Sequence, residues 1–239
     1  MKIGGAVIVD AVSLDIARGE FVTIIGPNGA GKTSLFNLLS GLYRPSGGRV
    51  ELLGADVTDQ PPFKRARAGL GRTFQASSVL LGLTVLENVR LAVQARRGGS
   101  LAFWRQAARD TDAVRRAREV LSLVGLENRA GLPAGLLAHG DKRKLELAIL
   151  LAGEFEVLLL DEPTAGVAVE DVPEMIAVIR AVHRDQSKTV VMVEHRMDVI
   201  VGLSDRIAVM NQGKLLAVDT PDRVMADETV QAAYLGDPL

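Results

Sequence analysis

The chain has 239 residues, of which 48% are hydrophobic and 24% are charged, and its formal net charge is −1. This composition excludes a disordered chain, and the small net charge argues against nucleic acid as a partner, because phosphate backbones attract strongly basic surfaces. The absence of cysteine excludes disulfides and thiolate metal sites and suits a reducing compartment.

Neither a signal peptide nor a membrane-spanning segment is expected. The first 15 residues, MKIGGAVIVDAVSLD, include acidic residues and contain no long apolar region. No apolar stretch reaches the roughly 18–20 residues that cross a bilayer. These features predict a soluble chain in the cytoplasm.

Four short apolar runs rich in β-branched residues predict the strands of a parallel sheet, with helices on both faces. They are FVTII at Phe21–Ile25, VLLL at Val157–Leu160, TVVMV at Thr189–Val193 and RIAVM at Arg206–Met210. A helical pattern at Val172–His183 lies between the second and third runs. Its predicted apolar face consists of Val172, Ile176, Ile179 and Val182. The alternation of strands and helices indicates an α/β fold.

The stretch from about Gln75 to Leu151 has a different character. It is rich in Arg, Ala, Leu and Glu at helical spacing, as in Ala113–Val124, and shows little strand signal. We therefore expect a helical subdomain inserted into the α/β core, with loops at Gly98–Ser100 and Gly131–Pro133. The predicted parts are 1–75 (core), 76–151 (helical subdomain) and 152–239 (core and C-terminal tail).

The segment GPNGAGKT, which begins at Gly26, matches the P-loop pattern in full. A strand precedes it and an amphipathic helix follows, which favours a P-loop over a chance glycine-rich turn. Backbone N–H groups of such a loop curl around phosphate oxygens. Lys32 would reach the β- and γ-phosphates of ATP, and the Thr33 hydroxyl would hold Mg²⁺. The predicted nucleotide-binding residues are Gly26, Pro27, Asn28, Gly29, Ala30, Gly31, Lys32, Thr33 and Ser34.

The segment VLLLDE, at Val157–Glu162, is an apolar strand that ends in two carboxylates. By itself this pattern fits a solvated acidic turn equally well. Beside a complete P-loop, Asp161 is the expected support for Mg²⁺ through its hydration shell. Glu162 is then placed to polarise the water that attacks the γ-phosphate.

Three further segments complete an ordered pattern. GRTFQ ends at Gln75, LAHGD lies at Leu137–Asp141, and VEHRMD contains His195. The order of all five elements resembles the ATP-binding cassette (ABC) family from end to end. The resemblance implies a RecA-like P-loop NTPase core with a parallel sheet, an antiparallel β edge and an inserted α-helical signature subdomain.

Several segments resemble one branch of that family, the ATP-binding subunits of branched-chain amino acid importers, and its G-type subunit in particular. They are GRTFQ, LTVLENV at Leu83–Val89, DEPTAGV at Asp161–Val167, EHRMDVI at Glu194–Ile200 and AAYLG at Ala232–Gly236. Urea importers and the lipopolysaccharide-export ATPase are close relatives and remain alternatives. Two other classes also remain: a soluble non-transport ABC ATPase and a nucleotide-binding regulator without turnover.

The resemblance implies roles for individual residues. Gln75 would sense Mg²⁺ and the attacking water beside the permease contact, and His195 would hold the γ-phosphate and orient Glu162. In a head-to-tail dimer, the signature of one chain would close over the ATP of the other. The residues acting in trans would be Ala138, His139, Gly140 and Asp141.

The resemblance also implies partners and a location. The partners would be a second ABC ATPase subunit, identical or not, integral membrane permease subunits and, indirectly, a periplasmic binding protein. The chain would then lie peripherally on the inner face of the cell membrane, with ATP and Mg²⁺ bound.

Three positions depart from the family pattern. Ile3 stands where relatives stack adenine on an aromatic ring, which predicts weaker nucleotide binding. Ala138 replaces the signature serine, and Ala168 stands where an aspartate often contacts the partner. Because a signature acts on the partner's nucleotide, we expect Ala138 to affect the partner's site.

Two groups of basic residues have alternative interpretations. The triplet Lys142, Arg143 and Lys144 follows the signature, in the first turn of a helix predicted to begin at Gly140. It fits a solvated face or the steering of a phosphate or partner. The second group fits a solvated helix face or contact with anionic lipid. It consists of Arg96, Arg97, Arg105, Arg109, Arg115, Arg116 and Arg118.

Overall fold

The structure is a computed structural model that describes residues 1–3, 6–73, 79–97 and 111–234. The described residues fall into two compact units. The core unit comprises residues 1–72, 156–162 and 180–239, and the helical unit comprises residues 73–155 and 163–179. The domain boundaries given above remain a prediction, since a compact unit is not necessarily a domain that folds independently.

A six-stranded sheet forms the centre of the core unit. Its strands are β3 (Phe21–Ile25), β6 (Leu70–Arg72), β7 (Val157–Asp161), β8 (Thr189–Val193), β9 (Arg206–Asn211) and β10 (Lys214–Asp219). They lie in the order β10-β9-β3-β8-β7-β6 across the sheet. All neighbouring strands are parallel except β10, which is antiparallel to β9. The four predicted strands are β3, β7, β8 and β9, so the expected parallel sheet with an antiparallel edge is confirmed.

Short elements complete the core unit. Two small antiparallel pairs are β1 (Lys2–Ile3) with β2 (Ala6–Val7) and β4 (Glu51–Leu52) with β5 (Ala55–Asp56). The helices are α1 (Lys32–Ser40), α2 (Pro62–Arg67), α7 (Met197–Leu203), α8 (Pro221–Ala226) and α9 (Glu228–Tyr234). Leu35 and Phe36 of α1 pack on one face of the sheet. Ile200 of α7 and Val224 of α8 pack on the other face, so helices cover both sides as expected.

The helical unit contains α3 (Val85–Arg97), α4 (Thr111–Leu123) and α5 (His139–Ala152), which pack against one another. The predicted helix at Ala113–Val124 corresponds to α4, and the predicted loop at 131–133 joins two short 3₁₀ turns. The predicted loop at 98–100 lies outside the described residues.

Helix α6 (Val172–Gln186) extends the predicted helix by three residues. Val172, Ile179 and Val182 are buried as expected. The fourth member of the face is Met175, which is 1% exposed, whereas Ile176 is only half-buried. Val178 is also buried, so the buried stripe is centred on Met175 and leaves Ile176 at its edge.

Arg65 of α2 is an arginine with only 1% of its surface exposed. Its Nη1 donates to the carbonyls of Leu38 (2.6 Å) and Leu39 (2.7 Å) in the last turn of α1. Its Nη2 and Nε donate to the carbonyls of Thr58 and Gln60, each at 3.0 Å. Burial lowers the pKa of Arg65. The guanidinium therefore caps the C-terminal end of α1, whose last carbonyls have no partner within the helix.

Arg65→Met is expected to lower the free energy of unfolding by roughly 3 kcal/mol, because four carbonyls at a buried position lose their charged donor. Arg67, two residues away on the same helix, is exposed. Arg67→Met is the matched control and should change stability by less than about 0.5 kcal/mol. Urea unfolding of both variants measures the difference, and equal stabilities would contradict the capping role.

Candidate nucleotide-binding site

The loop between β3 and α1 has a backbone that only glycine can adopt at two positions. Gly26 has φ +155° and Gly31 has φ +97°. A Cβ on Gly26 would collide with the carbonyl oxygen of Met210, and a Cβ on Gly31 would lie 2.6 Å from the carbonyl oxygen of Ile8. Because these two glycines have no side chain, the loop can turn its backbone N–H groups towards an anion at the start of α1.

Lys32 is the first residue of α1 and is only 7% exposed. Its Nζ donates to the carbonyl oxygens of Gly26 (2.5 Å) and Pro27 (3.0 Å), so the side chain folds back along the loop. Burial lowers the pKa of Lys32, while the negative charges of Glu162 and Asp161 act in the opposite direction. The first turn of α1 contains no acidic residue. Phosphate oxygens could replace the two carbonyls as acceptors of this ammonium group.

Asp161 ends β7, and its carboxylate is fully buried. Arg72, at the end of the neighbouring strand β6, donates from Nη2 to Oδ2 of Asp161 at 3.1 Å. The Nη1 of Arg72 donates to Oδ1 of Asn37 and to Oγ of Ser40, both at 2.7 Å, on α1. No role was expected for Arg72 from the sequence. A buried charge needs a partner, but no strand was predicted at Leu70–Arg72, so the sequence carried no local signal that this arginine would be buried.

Glu162 directly follows β7 and has φ +48°, a conformation uncommon for a residue with a Cβ. Its N–H donates to the carbonyl of Val193 at 2.9 Å, which holds the sharp turn at the end of the strand. Its Oε1 lies 3.1 Å from Nε2 of His195, which follows β8. Both side chains are partly exposed. Neighbouring parallel strands thus bring together the carboxylate and the imidazole that the sequence singled out.

The signature segment lies in the helical unit. Ala138 has an extended backbone and precedes α5, which begins at His139, one residue before the predicted start. Because alanine has no side-chain acceptor, it makes no capping hydrogen bond. The carboxylate of Asp141 pairs with the guanidinium of Arg129 and lies 4.0 Å from Nζ of Lys144.

Two members of the basic triplet form ion pairs within the helical unit, and the steering of a phosphate or partner remains a prediction. Lys144 is 6% exposed, and its Nζ lies 2.5 Å from Oε2 of Glu174. The Nη1 of Arg143 donates to Glu146 at 2.8 Å. The solvated-face interpretation is therefore wrong for Lys144, because acidic side chains within the same unit neutralise it.

The second basic group is partly described. Arg115 is two-thirds exposed and pairs with Asp112 and Glu119 on the surface of α4, as a solvated face predicts. Arg105 and Arg109 lie outside the described residues, as does Gln75. The predicted roles of Gln75 and of the position at Ile3, whose side chain is not described, remain predictions.

Comparison with known families decides the classification. The family model described as "ABC transporter" matches residues 9–165. The chain belongs to the ABC transporter family. A second model, described as "Branched-chain amino acid ATP-binding cassette transporter", matches residues 214–238 of this cassette.

Similar proteins cover the cassette almost from end to end. The high-affinity branched-chain amino acid transport ATP-binding protein LivG of Salmonella typhimurium is 38% identical over 242 residues, which cover 99% of this cassette and 95% of LivG. The protein of the same description named BraF, from Pseudomonas aeruginosa, is 36% identical, with 99% and 95% covered.

Solved structures extend this similarity to the fold. The ADP conformation of MJ1267, an ATP-binding cassette of an ABC transporter, superimposes with a TM-score of 0.87 at 28% identity and covers 99% of this cassette and 96% of MJ1267. The dimeric, post-hydrolysis state of the cassette MJ0796, bound to ADP and Pi, gives 0.80 at 26% identity, with 92% and 94% covered. This cassette therefore has the predicted P-loop NTPase fold and is an ATPase that binds nucleotide.

In residues 1–3, 6–73, 79–97 and 111–234, no helix combines the length and the apolar character needed to cross a membrane. The same residues contain no group of three or more His, Cys, Asp or Glu side chains suited to a metal ion.

Proposed function

We propose that this ABC ATPase powers the uptake of branched-chain amino acids through a membrane permease. The observation that carries the proposal is the similarity to LivG and BraF over 99% of the chain. The match of residues 214–238 to a family described by the same solute supports it. The C-terminal match overlaps the stretch aligned to LivG and agrees with it, and together they favour this solute over urea or lipopolysaccharide, and a transport role over a soluble, non-transport ATPase.

In the proposed site, the loop from Gly26 to Ser34 binds the phosphates of ATP. Lys32 turns from its loop carbonyls to the β- and γ-phosphates. The hydroxyl of Thr33, which is exposed at the start of α1, would bind Mg²⁺, and the carboxylate of Asp161 would support the ion through its hydration shell. A hydroxyl, phosphate oxygens and waters held by a carboxylate are a donor set that suits Mg²⁺. When bound, the ion neutralises the charge that develops on the phosphates.

Hydrolysis depends on Glu162 and His195 in this proposal. Glu162 polarises the attacking water, and its partly exposed carboxylate leaves room for that water. The 3.1 Å contact between Nε2 of His195 and Oε1 of Glu162 orients the carboxylate. His195 also holds the γ-phosphate, and Gln75 senses Mg²⁺ and the attacking water.

A second cassette completes each site in this proposal. Ala138, His139, Gly140 and Asp141 act on the partner's nucleotide through the N-terminal end of α5. The dimeric MJ0796 structure supports pairing as a property of cassettes with this fold. The pair would lie on the inner face of the membrane, against permease subunits that receive the solute from a periplasmic binding protein.

Ala138→Ser is expected to raise ATP turnover about two- to tenfold in the assembled complex. The added hydroxyl supplies one hydrogen bond to a charged group, worth roughly 1.5–3 kcal/mol, and less where water already substitutes for it. The partner's site should change, while nucleotide affinity at the site built from Lys32 should not. Turnover measured with the wild-type and variant complexes tests this, and an unchanged partner site would contradict it.

The proposed assembly is tested by isolating the chain from its own cells. A tagged chain, purified from detergent-solubilised membranes, is expected to bring permease subunits and a second cassette in fixed proportions. Adding a leucine-loaded binding protein to the complex in lipid vesicles should stimulate ATP turnover. Full activity in a chain that remains free of membrane proteins would contradict the transport role.

A further inference from the structure

We infer that Arg72 is a positioning residue that sets the affinity of the site for Mg²⁺ by fixing the carboxylate of Asp161. The inference rests on the proposed role of Asp161 as the support for that ion. It concerns a residue that does not itself touch the nucleotide or the metal. The observation that carries it is a buried guanidinium that joins Asp161 to the P-loop helix.

The guanidinium of Arg72 donates hydrogen bonds to side chains on two different elements. Nη2 donates to Oδ2 of Asp161 at the end of β7, at 3.1 Å. Nη1 donates to Oδ1 of Asn37 and Oγ of Ser40, both at 2.7 Å, in the last turns of α1. The guanidinium carbon also lies 5.7 Å from the ring centroid of Phe36, within the range of a cation–π contact.

Burial makes this connection rigid. The side chain of Arg72 is 7% exposed and that of Asp161 is 0% exposed. A carboxylate at that depth is costly without a counter-charge, and the planar fork of arginine supplies one with a fixed direction. A carboxylate offers about four lone-pair sites, so a bond from Arg72 to Oδ2 is compatible with a further ligand.

Helix α1 relates the hydrogen bonds of Arg72 to the metal site. This nine-residue helix contains Thr33 in its first turn and Asn37 and Ser40 towards its end. Arg72 therefore ties Asp161 to the same rigid helix that presents the Thr33 hydroxyl. Both protein groups proposed for Mg²⁺ are thereby placed by one helix and one guanidinium.

The test must distinguish this effect from the opposite one, in which the guanidinium bound to Asp161 competes with the cation for the carboxylate. The two possibilities predict opposite signs. If Arg72 positions the carboxylate, a variant without the guanidinium group binds the metal more weakly. If Arg72 competes, that variant binds the metal more tightly.

The test uses Arg72→Lys, which retains the charge but cannot reach all three acceptors with one nitrogen. Binding of a fluorescent, non-hydrolysable ATP analogue is measured in excess EDTA and across a titration of free Mg²⁺. Mn²⁺ bound in the same complex is measured by electron paramagnetic resonance. We expect the half-saturating metal concentration to rise about tenfold or more, the usual effect of removing a residue that orients a metal ligand. Affinity in EDTA should stay within about twofold of wild type.

Arg67→Lys, on the exposed side of α2, is the matched control and should leave metal dependence unchanged. If Arg72→Lys does not fold, the double variant Asn37→Ala, Ser40→Ala removes the anchors of Nη1 and keeps the pair with Asp161. A rise of about threefold or more in half-saturating metal is expected for it, by the same outer-shell argument. A folded variant of either kind with unchanged or tighter metal binding overturns the inference.

Asp161→Asn distinguishes failure of the inference from failure of the proposed function. If this variant loses the metal dependence while Arg72→Lys keeps it, the inference alone is wrong. If wild-type binding shows no metal dependence, or Asp161→Asn retains it, the proposed role of Asp161 is wrong and the inference falls with it.

Discussion

Glu162→Gln is expected to lower steady-state ATP turnover by about 100-fold or more and to leave nucleotide affinity within about twofold of wild type. Glutamine retains the size of the side chain and can still accept a hydrogen bond from His195, but it cannot accept a proton from water. The turn at Glu162, with φ +48° and its N–H bonded to Val193, is a backbone feature that glutamine can share. The expected change is therefore in chemistry and not in folding.

Turnover and affinity are measured separately, by phosphate release and by equilibrium binding of a fluorescent ATP analogue. Glu51→Gln, at an exposed position of β4, is the control for the loss of one negative charge. If Glu162→Gln retains wild-type turnover, the proposed role of Glu162 is wrong. A nucleotide-binding regulator without turnover would then become the better hypothesis.

Lys32→Ala is expected to weaken ATP binding by about 100-fold or more. The ammonium group would make hydrogen bonds to two phosphates, each worth roughly 1.5–3 kcal/mol, and the sum corresponds to at least two decades in affinity. Lys32 also lies near the negative charges of Glu162 and Asp161, so its removal takes away a positive charge that offsets their repulsion of phosphate.

Equilibrium binding of the fluorescent analogue again provides the measurement. Lys64→Ala, on the exposed surface of α2, removes a positive charge away from the loop and should leave affinity unchanged. Similar affinities for Lys32→Ala and the wild type would show that the loop does not bind phosphate through this side chain. Together with Glu162→Gln, the pair of variants separates binding from chemistry.

Much of the core unit could be predicted because its signals are local. The run FVTII, rich in β-branched residues and followed by a complete P-loop pattern, locates β3, the loop and α1 without knowledge of any other segment. The two carboxylates at the end of β7 and the imidazole after β8 are likewise adjacent in sequence to strong strand signals. Parallel pairing of β7 with β8 then brings Glu162 and His195 together.

The features that were missed depend on contacts between residues far apart in sequence. Arg72 acquires its role only because α1 and β7 both approach it, 35 and 89 positions away. Arg65 donates to the carbonyl of Leu38, 27 positions away, near the C-terminal end of α1. The P-loop pattern predicts where this helix begins but not what caps its C-terminal end. Lys144 looked like a surface residue because its counter-charge, Glu174, lies 30 positions away on another helix.

The solute was proposed from similarity and not from the chemistry of a binding site. In the proposed assembly, the permease and the binding protein contact the solute. Similarity over 99% of the chain to LivG is therefore the main support for the branched-chain amino acid proposal, and the C-terminal match at residues 214–238 agrees with it.

Uptake of radiolabelled leucine tests the central claim most directly. A strain of the source organism that lacks this gene receives either the wild-type chain or Glu162→Gln, expressed at equal levels. We expect the wild type to restore leucine uptake and the variant to restore none. Restoration by both chains, or by neither when the wild-type ATPase is active in the same cells, would contradict the proposal that ATP hydrolysis at Glu162 drives the import of branched-chain amino acids.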